Sequence, residues 1–270
     1  YLEPKDFMIY IEFNPRDFEQ YYKPFQSHGN LVFRELAPEI QATMIRLLME
    51  GKDEYIDNAI WRSATPTEAS KITAASGAAT SDIGGDNEYG KMKYWNGVID
   101  RLLLNANSSD ANEIHNGKVK ITGNAVFADG KAVEDELYKM WKALPVKLRN
   151  SPGLKFVMDW TSWDAYDQYL TSKDGKYVDN TTVNVRTFKG KRIVPLTGLP
   201  DNTIILAKFT DGRDSNLWMS VDVADDINVI QVEKKQANSE LWIFKALMKV
   251  DVNVVKPGEI VAHLPYNYTA

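Results

Sequence analysis

The sequence contains no cysteine, which excludes disulfide bridges and metal sites built on thiolates. It also lacks the short glycine-rich motifs that bind phosphates or dinucleotides, and it lacks the nucleophile elbow of hydrolases. Histidine is scarce: His28, His115 and His263 lie far apart, and none belongs to a recognisable ligand or base motif. An enzyme hypothesis therefore depends on carboxylates alone, and we expect neither a metal nor a cofactor.

Long apolar runs are missing too. No run approaches the roughly 18 residues of a membrane-spanning helix, so we expect no membrane partner. No secretory leader is visible, and because the chain opens at Tyr1 we expect that an upstream segment was removed or omitted. The formal net charge is -5. Because a dedicated nucleic-acid binder normally shows a basic patch or stripe, this charge argues against that class of protein. The 270 residues, 44% of them hydrophobic, suffice for a substantial globular core.

The middle of the chain predicts a helix, a strand and a second helix. Apolar residues with helical spacing place one face of the first helix in a core: Val133, Leu137, Met140, Trp141, Leu144 and Leu148. Asp129 precedes it as a candidate cap. Leu154 to Met158 is short and apolar enough for a buried strand. Thr161 and Ser162 can cap the second helix, and Asp164 can complete a capping box with Thr161.

The first third of the chain predicts one long helix and then a loop. Pro38 suits a first helical position, and apolar residues continue with helical spacing to Ile60, with a weak point at Gly51. From Thr65 to Gly90 the chain is rich in small residues, which predicts a flexible surface loop. Asn105 to Glu113 loosely resembles a calcium loop but lacks its glycine and its final glutamate, so we predict no metal there.

The last third predicts mostly strands. The longest runs from Trp242 to Val254, where every even position is apolar. Thirteen residues is well above the usual strand length of about five or six. A strand this long favours an extended sheet over a small closed barrel.

Aromatic residues are concentrated between positions 7 and 33. They are Phe7, Tyr10, Phe13, Phe18, Tyr21, Tyr22, Phe25 and Phe33. Strand-like arms at both ends and proline and glycine between them predict a long hairpin, which cannot be stable alone. The aromatic residues therefore either fill the core of this chain or form an interface with another chain, where aromatic side chains are common anchors. We take these eight residues as the candidate subunit interface and leave both alternatives open.

Carboxylates beside aromatic residues offer a second candidate site. Asp159 and Asp164 lie among tryptophans and tyrosines, an arrangement that a carbohydrate-active enzyme or a glycan-binding module could use. Both aspartates are also well placed for helix capping. The structural role is the favoured interpretation.

Three stretches resemble motifs of one family. Phe156 to Trp163, followed by Lys173 to Tyr177, resembles an apolar strand, a tryptophan-containing helix start and a Lys-Asp-x-Gly-Arg-Tyr-type turn. Phe188 to Pro195 is similar to a Gly-x-Pro-Val-Val strand, with Arg192 at the place of proline. Trp95 to Ile99 resembles the aromatic-x-Gly-Ile-Leu segment that follows a spine helix. With the order of elements, these stretches resemble the major capsid proteins of tailed phages, the Hong Kong 97-like fold that encapsulin shells share.

The resemblance implies an α/β (α+β) fold with four parts. Residues 1–36 would form an extended hairpin loop, and residues 37–130 a peripheral domain with the spine helix. Residues 131–235 would form an axial domain, and residues 236–270 the return strand of the peripheral domain.

The resemblance also implies a function. The chain would be a major capsid protein of a bacteriophage or prophage, not an enzyme, that self-assembles through pentamers and hexamers into an icosahedral shell around double-stranded DNA. Its partners would be copies of itself, scaffold, protease and portal proteins, and packaged DNA through weak contacts. It would be assembled in the bacterial cytoplasm and reside in the virion. An encapsulin-type nanocompartment shell is the alternative within the same fold.

Overall fold

The structure, a computed structural model, describes residues 2–14, 38–79, 82–87, 90–108, 118–173, 186–221, 230–236 and 241–269. The chain divides into two units. The larger unit comprises Tyr1–Leu2, Asp57–Met219 and Asp251–Ala270, and the smaller unit comprises Glu3–Ile56 and Ser220–Val250.

Helices and strands are mixed, which confirms the predicted fold class. The helices are α1 (Pro38–Arg62), α2 (Pro66–Ala69), α3 (Val98–Asn107), α4 (Gly130–Ala143) and α5 (Trp160–Lys173). The strands are β1 (Lys5–Phe13), β2 (Ile72–Ala74), β3 (Asp86–Asn87), β4 (Gly90–Lys91), β5 (Lys120–Gly123), β6 (Leu154–Asp159), β7 (Thr187–Phe188), β8 (Lys191–Leu196), β9 (Ile204–Lys208), β10 (Leu217–Val221), β11 (Ile230–Lys234), β12 (Trp242–Val254), β13 (Val261–His263) and β14 (Tyr266–Tyr268). None of the helices in the described part of the chain is long and apolar enough to cross a membrane.

The larger unit is built on a six-stranded sheet with the order β5-β13-β9-β6-β8-β7. Strand β6 lies inside this sheet, parallel to β8 on one side and antiparallel to β9 on the other. Five of its six residues are buried, as expected for an interior strand covered on both faces. The strand predicted from Leu154 to Met158 is therefore confirmed and extends to Asp159.

Helix α4 supplies the other half of this core. Asp129 caps it, as predicted, by accepting a hydrogen bond from the amide of Ala132 at 2.8 Å. The apolar face is buried, and Val133, Leu137 and Met140 belong to the core cluster that also contains β6 residues. Gly130 allows α5 to approach closely, because a Cβ at this position would lie 2.0 Å from the carbonyl oxygen of Ala165.

Helix α5 begins earlier than a cap at Thr161 or Ser162 would place it, and the capping role expected of Asp159 is confirmed. Its first residue is Trp160, and the carboxylate of Asp159 accepts a hydrogen bond from the amide of Ser162 at 2.8 Å. The prediction of Thr161 or Ser162 as the cap is wrong, because both residues lie inside the helix and Asp159, which precedes it, caps the amide of Ser162. The hydroxyl of Thr161 instead donates to Asp201 at 2.9 Å.

The predicted flexible loop from Thr65 to Gly90 is wrong for the described residues. Strand β2 pairs with β14 near the end of the chain, and Ile72 and Ile83 are buried. Small residues serve close packing here: Gly84 has a φ of 61°, and a Cβ on it would lie 2.9 Å from the carbonyl oxygen of Ala64. The composition of this segment predicted a loop because the strand that pairs with β2 lies almost two hundred positions later in the chain, where a local reading of the sequence does not detect it.

The smaller unit contains β1 paired with β12 in an antiparallel register from Lys5 opposite Val250 to Phe13 opposite Trp242. Strand β12 has the predicted thirteen residues. The alternation is confirmed where Phe244, Ala246 and Met248 are buried. The predicted long helix is also confirmed, since α1 runs without a break through Gly51.

A buried contact between Glu136 and His263 joins α4 to β13. The side chains of Glu136 and His263 are both buried, and Oε1 of Glu136 lies 3.2 Å from Nδ1 of His263. Nε2 of His263 lies 2.8 Å from the carbonyl oxygen of Ala125. Burial alone would raise the pKa of Glu136, but interactions with His263, Thr122 and Lys139 outweigh burial and lower the pKa to about 2.

The Glu136→Gln variant tests this pair. Because the folded-state pKa is lowered, ionised Glu136 stabilises the fold above its ordinary pKa near 4.5, and this stability is lost as the pH falls towards 2. We expect the variant to lose about 2 kcal/mol of unfolding free energy at neutral pH and the deficit to shrink between roughly pH 4.5 and 2. Urea titrations at several pH values measure this difference. Asp135→Asn, on the exposed side of α4, is the control, and an equal loss there would contradict the assignment.

Asp100 in α3 is a buried carboxylate of the opposite kind. Its side chain is fully buried, and neither oxygen has a hydrogen-bond partner. Burial, reinforced by the negative charge of Glu68, raises the pKa of Asp100 to about 7 even though Arg101 and Lys71 oppose the shift. The neutral acid is therefore the form that the fold favours.

The Asp100→Asn variant tests that conclusion. Because the folded-state pKa is raised, the wild type loses stability as the pH rises from about 4 to about 7, whereas an amide does not ionise. We expect the variant to be more stable than the wild type by on the order of 2 kcal/mol at pH 8 and similar to it near pH 4. Thermal and urea unfolding at both pH values measure the effect. The exposed Asp211 serves as control, and a gain at pH 8 from Asp211→Asn as well would refute the explanation.

Candidate subunit interface

One face of the β1–β12 pair exposes apolar side chains to solvent. Met8 is 52% exposed and Tyr10 is 46% exposed on β1, and Leu247 is 41% exposed on β12. Met8 is directly opposite Leu247, and Tyr10 is opposite Lys245. Side chains alternate between the two faces of a strand, so these residues share one face. We call Met8, Tyr10 and Leu247 the exposed sheet face.

A hydrogen-bond chain fixes the tyrosine of this face. The hydroxyl of Tyr10 donates to Oε1 of Glu12 at 2.6 Å, and Nζ of Lys235 lies 2.7 Å from Oε2 of Glu12. The hydrogen bond to Glu12 raises the pKa of Tyr10, and the bonds from Lys235 and Tyr10 lower the pKa of Glu12. These hydrogen bonds restrict the positions open to the Tyr10 ring on the exposed sheet face.

The candidate interface residues fall partly on this sheet. Tyr10 lies on the exposed sheet face, Phe13 is half-buried, and Phe7 pairs with Met248 along β1. Phe18, Tyr21, Tyr22, Phe25 and Phe33 lie outside the described residues. The assignment of all eight residues to an interface stays a prediction.

Sequence reasoning missed Met8 and Leu247. Leu247 carries a signal, because it is apolar at an odd position of β12, where Lys245 and Lys249 are its charged neighbours. An apolar residue on the polar side of a strand is exposed to solvent unless another chain covers it. The signal becomes specific only when the register places Leu247 beside Met8.

The second candidate site is a polar cavity of 340 Å³ in the larger unit. Its walls are Arg62, Asp82, Asp159, Trp160, Thr161, Leu196, Thr197, Leu199 and Asp201. Two nitrogens of the Arg62 guanidinium form hydrogen bonds within the wall of the cavity. Nε donates to the carbonyl oxygen of Gly198 and Nη2 to that of Leu199, both at 2.9 Å. Asp82 accepts from the hydroxyl of Tyr266 at 3.3 Å.

Asp159 and Asp164 do not meet in this cavity. Asp159 is buried, and its two oxygens accept from the amides of Ser162 at 2.8 Å and Thr203 at 3.0 Å. Burial raises the pKa of Asp159, while the backbone hydrogen bonds oppose the rise. Asp164 is exposed and does not line the cavity. The pair therefore lacks the facing geometry that glycoside hydrolysis requires.

No metal centre is found in the described ranges, where no group of three or more His, Asp or Glu side chains could hold an ion. His263 contacts Glu136 through Nδ1, and His28 and His115 lie outside the described residues. Most of the loop from Asn105 to Glu113 also lies outside them. The expectation of no metal and no cofactor stays a prediction.

Comparison with known proteins gives a clear result for the fold. No family model and no curated protein matches the sequence. Three solved structures match 97% of this chain: the procapsid of satellite phage P4, the empty capsid of a GTA particle, and the capsid of cyanophage A-1(L). Their TM-scores are 0.56, 0.53 and 0.54, their sequence identities 10%, 13% and 10%, and the matches cover 71%, 74% and 77% of those chains. At this identity the likeness establishes the fold.

The Asp159→Ala variant separates a structural role from a catalytic one. Loss of this carboxylate leaves two buried amides without partners, so we expect the unfolding free energy to fall by about 2 to 3 kcal/mol. Asp164→Ala is the matched control and should change it by less than about 0.5 kcal/mol. Urea titration measures both values, and a glycan-binding screen of both variants completes the test. Glycan binding by the wild type that either substitution abolishes would restore the carbohydrate hypothesis.

Proposed function

We propose, from the Hong Kong 97-like capsid fold of this chain, that it is a shell subunit whose function is self-assembly into a closed container. The solved structures that share the fold are capsids, whose subunits are structural proteins. The observation that carries the proposal is the match over 97% of this chain to three such capsids. The sequence resemblance, which was drawn from motifs and element order alone, agrees with it.

The mechanism of the proposed function is geometric. Copies of one chain related by rotation form rings through identical contacts, and rings of five and six close a shell. Each contact can be modest because it is repeated many times. The exposed sheet face supplies apolar area for such a contact, since exposed apolar patches mark interaction surfaces.

The shell type, the partners and the domain boundaries that we propose are taken from the resemblance to the capsid family. We infer an icosahedral virion shell of a tailed phage or prophage, assembled in the bacterial cytoplasm around double-stranded DNA with scaffold, protease and portal proteins, and without catalysis. Residues 1–36 would be the extended hairpin and 37–130 the peripheral domain with α1 as its spine. Residues 131–235 would be the axial domain, and 236–270 would return to the periphery through β12.

Electron microscopy of the full chain tests shell formation. We expect closed particles for the wild type and for the Met8→Leu/Leu247→Met variant, which keeps the face apolar. The Met8→Glu/Leu247→Glu variant places two carboxylates where apolar area would be buried, which costs several kcal/mol per contact. We expect it to stay folded, by circular dichroism, and to form at least about tenfold fewer particles at the same concentration.

Two outcomes would contradict the proposal at different levels. Absence of particles from the wild type, expressed with any upstream segment and its scaffold, would reject the shell function. Normal particles from the charged variant would reject only the role of the exposed sheet face. The contents of particles from the native host decide the finer question, because DNA indicates a phage and an enzyme cargo indicates a nanocompartment.

A further inference from the structure

The polar cavity of the larger unit lies where two parallel strands end. Strands β6 and β8 are parallel, and their register places Asp159 opposite Leu196, the last residue of each strand. Both residues line the cavity, together with Trp160 and Thr161 after β6 and Thr197 after β8. Ligands often bind in the crevice outside the carboxyl ends of parallel strands. The volume of 340 Å³ suffices for a small ligand.

Negative charge predominates in this cavity. Of the described residues that line it, Asp82, Asp159 and Asp201 are acidic and Arg62 is basic. Nη1 of Arg62 lies 4.0 Å from Oδ1 of Asp82, whereas the exposed Asp201 forms no ion pair with another described residue. Burial raises the pKa of Asp82 and that of Asp159, and the charge of Asp201 raises both further. The three carboxylates therefore act on one another and attract a cation.

The cavity suits neither an anion nor a metal ion. An anion could bind the free amides at the start of α5, but the carboxylate of Asp159 already accepts from the amide of Ser162 at 2.8 Å. A metal ion needs several ligands that converge on one point. In the part of the chain that the structure describes, no three acidic or histidine side chains are placed to hold one. A larger cation, with donors that point in several directions, can reach carboxylates that do not converge.

Trp160 gives the cavity an aromatic wall. Its side chain is 40% exposed and lines the cavity. The guanidinium of Arg186 lies 5.0 Å from the centre of the Trp160 ring and 5.2 Å from that of Trp163, although Arg186 does not line the cavity. The Trp160 ring thus already interacts with one guanidinium of its own chain. A tryptophan ring beside carboxylates favours organic cations.

We propose that this cavity binds a guanidinium group, which belongs either to a small free molecule or to an arginine side chain. A guanidinium is planar and carries five N–H donors, so it can stack on Trp160 and donate to carboxylates at the same time. The hydroxyl of Thr161 donates to Oδ1 of Asp201 at 2.9 Å, which orients that exposed carboxylate at the cavity wall. An ammonium ion is a point charge and does not stack in this way. The inference does not depend on the proposed shell function.

NMR titration of the unassembled full chain with N-acetyl-arginine amide tests the proposal. The backbone amides of Thr161 and Thr197, which line the cavity, are the reporters. We expect a dissociation constant of about 1 to 10 mM, as for one charge-assisted contact. N-acetyl-citrulline amide has nearly the same shape without the charge and should bind at least about tenfold more weakly. N-acetyl-lysine amide should bind about threefold more weakly.

Two further ligands distinguish the sources of the guanidinium. Agmatine represents a small free molecule, and a tripeptide with arginine between two glycines represents a protein side chain. Tighter binding of agmatine supports the first source, and tighter binding of the tripeptide supports the second.

Substitutions test the residues that we assign. Asp201→Asn removes one carboxylate but keeps an oxygen for the hydroxyl of Thr161, and it should weaken binding of the capped arginine about tenfold. Asp164→Asn is the matched control, because Asp164 is exposed and does not line the cavity, and it should change binding by less than about twofold. Trp160→Leu should weaken binding about two- to fivefold.

The opposite results overturn the proposal. It is wrong if the capped arginine shifts neither reporter, or if the capped citrulline binds equally well. Equal losses in the two aspartate variants would mean that only net charge matters. Tighter binding of magnesium ions or of a neutral sugar than of the capped arginine would assign the cavity to another ligand class. Circular dichroism verifies that each variant is folded, and because the chain is unassembled, these results do not decide whether shells form.

Discussion

Burial of strand β6 on both faces is the constraint on which the larger unit depends. A strand inside a sheet has no free edge, so its neighbours β8 and β9 and the helices that cover it must all be in place. The chain leaves this strand directly into α5, and Asp159 stands at that corner. Its two carboxylate oxygens hold the first turn of the helix and the amide of Thr203 just before β9. One side chain thus ties the end of β6 to the first turn of α5 and to the residue before β9.

Three buried carboxylates show how the same chemical group is accommodated in three ways. Glu136 is ionised because a histidine, a threonine and a lysine face it, so its pKa is lowered. Neither oxygen of Asp100 has a hydrogen-bond partner, and burial together with the charge of Glu68 raises its pKa to about 7. Asp159 lies between these cases, since burial and backbone amides act in opposite directions. Environment, and not residue type, decides which charges the interior tolerates.

The smaller unit presents apolar side chains to solvent at the exposed sheet face. Met8 and Leu247 lie side by side there, and Tyr10 is positioned by Glu12 and Lys235. Apolar side chains exposed on paired strands favour repeated contacts between identical copies.

Local periodicity predicted much of the fold because the buried face of a helix or strand carries apolar residues at a characteristic short spacing. Helix α4 with its cap Asp129, strand β6, the long helix α1 and the thirteen-residue strand β12 were all visible in this way. The start of α5 was ambiguous because Asp159, Thr161 and Ser162 can all cap, and only the structure shows that Asp159 accepts from the amide of Ser162. The order within the segment from Thr65 to Gly90 was missed because β14, its partner, lies far along the chain.

The sequence by itself determined the positions of α1, α4, β6 and β12, and that one region is rich in aromatic residues. Tertiary structure alone decided that Leu247 lies beside Met8 and that Lys155 lies opposite Arg192. The physical reason is that composition and spacing act within one element, whereas a surface arises from pairing between strands that are distant in the chain. Such pairing is selected by the burial of the whole core, so no single stretch contains it.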